Sequence, residues 1–108
     1  MITESNFFKY KGDRGVAISN SIPTGWNGKR YTALAPPWDL VKRFRDEKVT
    51  EAQFREEYAE KILSKLDRRK VKAELEGMTL LCWEGDGKFC HRHLALQWLN
   101  EKEEKEDV

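Results

Sequence analysis

One segment, residues 78–92, organises this chain and reads MTLLCWEGDGKFCHR. Its first part, Met78 to Trp83, is an unbroken and mostly apolar run, which is typical of a strand covered on both faces in a parallel sheet. A glycine loop follows, and then a helix predicted over roughly Phe89 to Asn100. Ligands of α/β proteins commonly bind at such strand-loop-helix junctions, because the N–H groups at the helix start point into the crevice.

The rest of the chain predicts a small, single-domain layered α/β fold with a short, mainly parallel sheet flanked by helices. Short strands are predicted at Phe7–Tyr10 and at Val16–Ile18, and the latter pairs in the core with the Met78–Trp83 strand. Three helices are predicted between them, with apolar residues at helical spacing: Trp38, Val41 and Phe44, with Leu40 beside them; Phe54, Tyr58, Ile62 and Leu66; Val71 and Leu75. Residues 1–100 form the predicted domain, and the charged tail 101–108 is predicted to be disordered.

Local signals set the ends of these helices. Pro36 and Pro37 suit a helix start. Thr50 and Gln53 have the spacing of a capping box. Asp67 is a candidate N-cap for the third helix, and Gly77 is a candidate C′ residue after it.

Composition narrows the class of protein. The 20 basic and 19 acidic residues nearly cancel, which argues against nucleic acid or an anionic membrane as the partner. The first residues lack the apolar core of a signal peptide, and no apolar run approaches the length of a membrane span. With two cysteines, we expect a cytoplasmic protein with reduced thiols. The oligomeric state is left open.

The final helix can be phased from its apolar residues. Leu94, Ala95, Trp98 and Leu99 share one face. One turn earlier, Cys90 and His91 fall on the same side, so both are expected to point toward the sheet. His93 falls on the polar side and is expected to face water.

A cysteine in the first turn of a helix is a candidate nucleophile, because the helix dipole and nearby cations favour its thiolate. Cys90 would be the nucleophile or proton donor and His91 the base, while Glu84 would orient His91 or act as an acid. The alternative is that Cys90 simply packs, which buried cysteines commonly do.

The same junction could bind an anion without reacting. Arg92 would clamp a phosphate or carboxylate, Lys88 would add charge, and Gly87 would permit close backbone approach. The long loop that follows the first core strand would meet this junction at one edge of a parallel sheet. Its candidate ligand-binding residues are Ser19, Asn20, Trp26 and Arg30. Together they suit a nucleotide-like or other small anionic molecule.

Other uses of the two cysteines are disfavoured. Cys82 and Cys90 lack the spacing of a zinc knuckle, and His91 and His93 point to different faces, so no metal site and no cofactor is predicted. A Cys82–Cys90 disulfide is compatible with the spacing, but a reducing compartment argues against it.

Two motifs carry a family resemblance. Leu80-Leu81-Cys82-Trp83-Glu84 followed by Phe89-Cys90-His91-Arg92 resembles the C-terminal signature of domain-of-unknown-function family 488. The resemblance extends from about Val16 to Leu99. It implies a small cytosolic α/β protein with hallmark residues Cys82, Cys90, His91 and Arg92. Related members carry an arginine after the first core strand, where this chain has Asn20, and Arg30 is the candidate to replace it.

The leading interpretation is an enzyme that acts on a nucleotide-like or anionic small molecule. The alternative is a non-catalytic ligand-binding or protein-interaction module in which Cys90, His91 and Arg92 are structural. The sequence does not decide whether the protein is an enzyme.

Overall fold

The computed structural model describes residues 1–83 and 89–101. Within them, four short strands form one parallel sheet. The strands are β1 (Thr3–Asn6), β2 (Gly15–Ala17), β3 (Lys29–Arg30) and β4 (Thr79–Cys82). Their order across the sheet is β1-β4-β2-β3, and each neighbouring pair is parallel. The predicted parallel pairing of the two core strands is therefore confirmed, with Val16 opposite Leu80.

Four α-helices accompany the sheet in the described part of the chain. They are α1 (Trp38–Arg45), α2 (Glu51–Lys61), α3 (Arg68–Leu75) and α4 (His91–Leu99). Single 3₁₀ turns lie at Thr32–Leu34 and Leu63–Lys65. This architecture confirms the predicted α/β class. None of the described helices combines the length and apolar character needed to cross a bilayer.

The predicted caps are present. The Thr50 hydroxyl accepts from the Gln53 N–H at 3.1 Å, and the Gln53 side chain accepts from the Thr50 N–H at 2.8 Å. The Asp67 carboxylate accepts from the first N–H groups of α3, and Gly77 follows that helix with φ of +81°. Because Gly lacks Cβ, it adopts this left-handed conformation without strain.

The first strand lies earlier than predicted. Strand β1 covers residues 3–6, whereas Phe7–Tyr10 form a turn. The cause is Asn6, whose side-chain oxygen accepts from the N–H groups of Phe8 and Lys9, at 3.0 Å each. This Asx turn ends the strand just before the aromatic residues that suggested one.

The two faces of the sheet are covered differently. Val16, Ile18 and Leu80 join a continuous apolar core with residues of all four helices. Successive strand residues point to opposite faces, so Gly15, Ala17 and Leu81 lie on the other side. There a Cβ added to Gly15 would meet the rings of Tyr10 and Trp26. We call these the helix-covered face and the aromatic-covered face.

Candidate functional site

A crevice of about 190 Å³ opens at the carboxyl ends of β2 and β4, on the helix-covered side. Its wall combines the segment that follows β2, the end of β4 and the start of α4 with residues of α1. The lining residues are Ser19, Asn20, Ser21, Pro36, Trp38, Val41, Arg45, Cys82, Trp83 and His91. The loop after β2 and the Cys-His-Arg segment therefore meet at one edge of the sheet, as the parallel topology required.

The segment after β2 is fixed by hydrogen bonds. The Ser19 hydroxyl donates to the Ser21 carbonyl at 2.6 Å, and the Asn20 side chain donates to the Pro36 carbonyl at 2.9 Å. From the end of β4, the Trp83 indole N–H reaches both the carbonyl and the hydroxyl of Ser21, at 3.1 Å each. One side of the crevice is thus polar, and hydrogen bonds from Trp83, at the end of β4, hold it in place.

The opposite rim carries an aromatic ring and a cation. Trp38, the first residue of α1, is 56% exposed. The guanidinium of Arg45, the last residue of the same helix, lies 5.3 Å from the centre of the Trp38 ring. Arg30 is exposed as well and donates to the Asn20 carbonyl at 3.3 Å. The prediction that Trp38 belongs to the apolar stripe of α1 was wrong, since Leu40 is the fully buried residue of that helix.

His91 forms part of the crevice floor as a neutral base. Its Nε2 lies 2.6 Å from the Ile18 carbonyl, which can only accept, so Nε2 carries the proton. Burial lowers the pKa of His91 to about 4, and the ring is therefore neutral near pH 7. Its Nδ1 is then a lone-pair acceptor, 3.6 Å from the Cys90 sulfur. The phasing that turned Cys90 and His91 toward the sheet is consistent with this placement.

The two cysteines occupy different sides of this floor. Cys82 lines the crevice, whereas Cys90 lines a smaller pocket of about 70 Å³ together with aromatic residues such as Phe44 and Phe54. The structure brings their sulfurs into direct contact, with the Cα atoms 7.7 Å apart. A disulfide normally joins Cα atoms less than about 7 Å apart, so a bond between these sulfurs needs a small backbone movement, and the expectation of reduced thiols stays a prediction.

Arg92 is a buried side chain whose polar contacts are inside the protein. It is 2% exposed; its Nε donates to Glu4 of β1 at 2.9 Å and its Nη1 to the Cys82 sulfur at 2.8 Å. His93, with a side chain 40% exposed, meets the same Glu4 carboxylate. A buried guanidinium needs such partners, because desolvation of an unpaired charge is costly. These contacts tie α4 to two strands.

The helix start also differs slightly from expectation. Helix α4 begins at His91, and Cys90 is its N-cap residue in extended conformation, rather than a residue of the first turn. The Cys90 N-cap supplies no side-chain hydrogen bond to the helix N–H groups. Its backbone carbonyl accepts the His93 N–H at 3.1 Å.

The remaining predicted site residues separate into three groups. Ser19 and Asn20 line the crevice, and Arg30 lies beside it through its bond to Asn20. Trp26 does not line it: its ring packs edge-on against Phe7, with centroids 5.4 Å apart, on the aromatic-covered face. The predicted residues Glu84, Gly87 and Lys88 lie outside the described residues.

Of the ten residues that line the crevice, sequence reasoning had named Ser19, Asn20 and His91 as site residues. Three of the seven others bear on the proposals below: Trp38 was placed in the apolar stripe of its helix, Arg45 was not singled out, and Cys82 was named only as a family hallmark. For the pair on α1, a seven-residue separation places both side chains on one helix face, and this signal was available. For Cys82 the signal was its position as the last residue of a strand in a parallel sheet, where ligands bind.

Two larger hollows lie elsewhere on the described surface. One of about 410 Å³ runs between α2 and α4, beside Ala59, Leu63 and Leu94, and one of about 400 Å³ lies along α2 beside Glu56 and Glu60. The first is walled mainly by apolar side chains and the second by carboxylates already near Arg43 and Lys61. Neither hollow is lined by a cysteine or a histidine, whereas the crevice is lined by both Cys82 and His91. We therefore regard the crevice as the candidate site.

Comparison with known proteins agrees with the resemblance seen in the motifs. No curated protein and no solved structure matches the chain. A family model described as the active DUF488-N3 subclade, DUF488-N3a, matches residues 10–103, which include both cysteines, His91 and the whole crevice lining. The chain therefore belongs to the DUF488-N3a family.

Proposed function

We propose that the crevice binds a small anionic molecule with a planar ring, such as a nucleotide, and that the protein is an enzyme acting on it. The observation that carries the proposal is the meeting of the β2 and β4 loops with the Arg45–Trp38 rim in one crevice. Such an edge of a parallel sheet is where ligands of α/β proteins bind.

The charge and the ring determine the class of ligand. Arg45 and Arg30 are exposed guanidinium groups at the crevice and its edge, and arginine pairs bidentately with phosphate or carboxylate. Trp38 presents an exposed ring on which a base could stack. Arg92, first considered as the anion clamp, instead contacts Glu4 and Cys82, which leaves Arg45 and Arg30 as the cations that the described residues offer a ligand.

The chemistry is assigned to His91, which lines the crevice, and to Cys90, which lines the adjoining pocket that His91 shares. His91 is neutral, its tautomer is fixed by Ile18, and its Nδ1 lone pair is placed to accept a proton, although the lowered pKa of about 4 makes it a weak base in the folded protein. In the reduced protein that proton would come from Cys90, whose sulfur is its neighbour. A thiol activated by an adjacent base is the arrangement that covalent catalysis requires. Cys90 as nucleophile and His91 as base therefore remain the proposed catalytic roles.

Binding can be tested by calorimetric titration with nucleoside monophosphates, the matching nucleosides and inorganic phosphate. We expect saturable binding of the monophosphates and weaker binding of both fragments. Replacing Arg45 with glutamine should weaken binding at least about tenfold, since a charge-assisted hydrogen bond is lost. Arg55→Gln on α2 is the matched control, because that arginine lines a different hollow. Equal losses in both variants, or no saturable binding, would reject the proposal.

Catalysis is tested separately on any monophosphate that binds. The ligand is incubated with reduced protein, and products are identified by mass spectrometry. His91→Gln keeps a donor for Ile18 but loses the proton acceptor, so we expect turnover to fall by at least about 10²-fold with little change in affinity. Unchanged turnover in this variant would remove the catalytic assignment while leaving the binding proposal intact.

A second candidate function has its own support. The internal contacts of Arg92 with Glu4 and Cys82 favour a binding module in which the Cys-His-Arg segment holds α4 against the sheet. In that case Cys90→Ser should lower stability and leave ligand affinity unchanged, and no bound ligand should be converted. Product formation that is lost in Cys90→Ser would decide for the enzyme.

A further inference from the structure

We propose that Cys82 and Cys90 form a thiol–disulfide couple that reacts with small disulfides entering the crevice. Cys82 is the attacking thiolate and Cys90 the resolving thiol. This inference goes beyond the proposed function, because it assigns the reactive sulfur to the other cysteine and names a different substrate class. It depends on the crevice as an entry route and does not depend on nucleotide binding.

The placement of the two sulfurs distinguishes their roles. Cys82 is the cysteine on the crevice wall, whereas Cys90 lines the adjoining aromatic pocket, which shares His91 with the crevice. A molecule entering the crevice therefore meets Cys82 first. Both residues are nearly buried, at 1% and 3% exposure, so we expect reaction along the crevice to be slower than with a surface thiol.

The partners of Cys82 favour its thiolate. The Arg92 guanidinium places Nη1 2.8 Å from the Cys82 sulfur, inside the protein. A neighbouring cation stabilises the thiolate, which is the reactive form of cysteine. Arg92 also pairs with Glu4, and this contact fixes the guanidinium in position beside the sulfur.

Cys90 has the partner that a resolving thiol needs. Its sulfur lies 3.6 Å from Nδ1 of His91, and the hydrogen bond from Nε2 to Ile18 leaves Nδ1 as the proton acceptor. The structure places the two sulfurs in contact, so the resolving attack of Cys90 on Cys82 needs only a small backbone movement.

The reaction balances in two exchange steps. The Cys82 thiolate attacks one sulfur of a small disulfide, forms a mixed disulfide and releases the first small thiolate. Cys90 transfers its proton to His91 and attacks the Cys82 sulfur, which forms the Cys82–Cys90 bond and releases the second thiolate. The two cysteines are oxidised and the small disulfide is reduced. Two small thiols, or one dithiol, reverse the sequence and leave as a disulfide while both cysteines are reduced.

The test uses dithiobis-nitrobenzoate, an aromatic disulfide with carboxylate groups that suit the Arg45–Trp38 rim. We expect reduced wild-type protein to release two aryl thiolates per chain and to finish without a bound aryl group. Cys90→Ala should release one and retain the other as a mixed disulfide at Cys82. Cys82→Ala should react at least about tenfold more slowly, because the remaining thiol lines the adjoining pocket and lacks the contact with Arg92. Intact mass and absorbance report both quantities.

A pH profile separates a chemical role of Arg92 from a structural one. In Cys90→Ala, replacing Arg92 with glutamine should move the midpoint of the rate against pH upward, and Arg92→Lys should restore part of the shift. Circular dichroism checks the fold of each variant. If a variant unfolds, single-hit alkylation of reduced wild-type protein followed by peptide mapping gives the order of reaction, with Cys82 expected first.

Two outcomes would overturn the inference: Cys90 modified before Cys82, or wild-type protein that retains two aryl groups without forming the internal disulfide. Nucleotide titration of the same samples keeps the two proposals apart. Failure of disulfide exchange with intact nucleotide binding rejects this inference alone, and exchange without nucleotide binding rejects the proposed function alone.

Discussion

The two faces of the sheet are both buried, but one is covered by helices and the other by aromatic side chains. On the helix-covered face, Val16 and Leu80 meet a continuous core built from four helices. On the aromatic-covered face, Gly15 and Leu81 lie beneath rings carried by irregular segments, including Tyr10 and Trp26. The adjacent residues Leu80 and Leu81 are both fully buried, although one lies on each face. Equal burial therefore conceals different surroundings.

This difference bears on where the proposed chemistry would take place. Helices hold their side chains through regular backbone hydrogen bonds, and a titratable group among them keeps a fixed orientation. His91, Arg92 and Cys90 all come from the start of α4, on the helix-covered side. The aromatic-covered face instead closes the back of the sheet and leaves its strands buried. The comparison predicts that substitutions on the two faces lower the free energy of unfolding by different amounts and with different pH dependence.

The largest expected difference is between Leu80→Ala and Leu81→Ala. We expect the free energy of unfolding to fall by about 3–5 kcal/mol for Leu80→Ala, because the helices around it cannot collapse into the cavity. For Leu81→Ala we expect about 2–3 kcal/mol, since the neighbouring rings sit on loops that can move inward. Urea denaturation measures both. Equal losses would show that the aromatic layer is as rigid as the helical one.

Acid should weaken the helix-covered face through His91. Its pKa is about 4 in the fold against an ordinary 6.5, so the unfolded chain binds the proton more tightly. The contribution of His91 to the free energy of unfolding is therefore fully present above pH 6.5. It is lost as the pH falls toward 4, by on the order of 3 kcal/mol. The measurement is the free energy of unfolding as a function of pH.

The variant that tests this is His91→Gln, which should flatten the slope between pH 6.5 and 4 relative to the wild type. The Glu57 carboxylate, which hydrogen bonds from Arg43 hold at a pKa of about 2, contributes below pH 4.5 and is present in both proteins. A slope that survives His91→Gln would contradict the assignment of the neutral imidazole.

On the aromatic-covered face, Gly15→Ala should cost about 1–3 kcal/mol through overpacking. The added Cβ would lie 2.6 Å from a methyl carbon of Leu81 and 2.9 Å from the Tyr10 ring. The double variant Gly15→Ala with Leu81→Ala should lose less than the sum of the single losses, because the truncated side chain leaves room. Additive losses in thermal or urea unfolding would exclude this contact as the cause.

The smallest effect is expected for Trp26→Phe. Within the described residues, the buried Nε1 of Trp26 has no hydrogen-bond partner, so phenylalanine removes an unsatisfied donor while it loses some contact area. We expect a change within about 1 kcal/mol. Trp83→Phe is the control, because it breaks the bonds to Ser21 and should cost more. A larger loss for Trp26→Phe than for Trp83→Phe would contradict this account.

Much of the helix-covered face could be predicted from the sequence. The parallel pairing of the core strands, the capping box at Thr50 and the orientation of Cys90 and His91 all follow from local patterns. Each depends on a period or a cap that a few neighbouring residues define. The family resemblance covered most of the chain, and the match of the family model over residues 10–103 confirmed that resemblance.

The site was less predictable because it depends on distant contacts. Arg92 resembles a ligand clamp in sequence, and only the position of Glu4, 88 residues away, shows that it is paired inside the protein. Strand β1 escaped detection because its residues are polar and its pairing with β4 uses the backbone. The contact between Cys82 and Cys90 likewise requires the three-dimensional path of the loop, which spacing alone does not supply.

The far edge of the sheet has a consequence for solubility. Strand β3 consists of Lys29 and Arg30, which are both exposed, and it is the last strand beside β2. An open edge offers unpaired backbone groups to another chain, and short, positively charged edge strands oppose such pairing. Two copies that approach through this edge would bring like charges together over a two-residue ladder. The edge that borders Asn20 and the crevice therefore also protects the molecule against edge-to-edge aggregation.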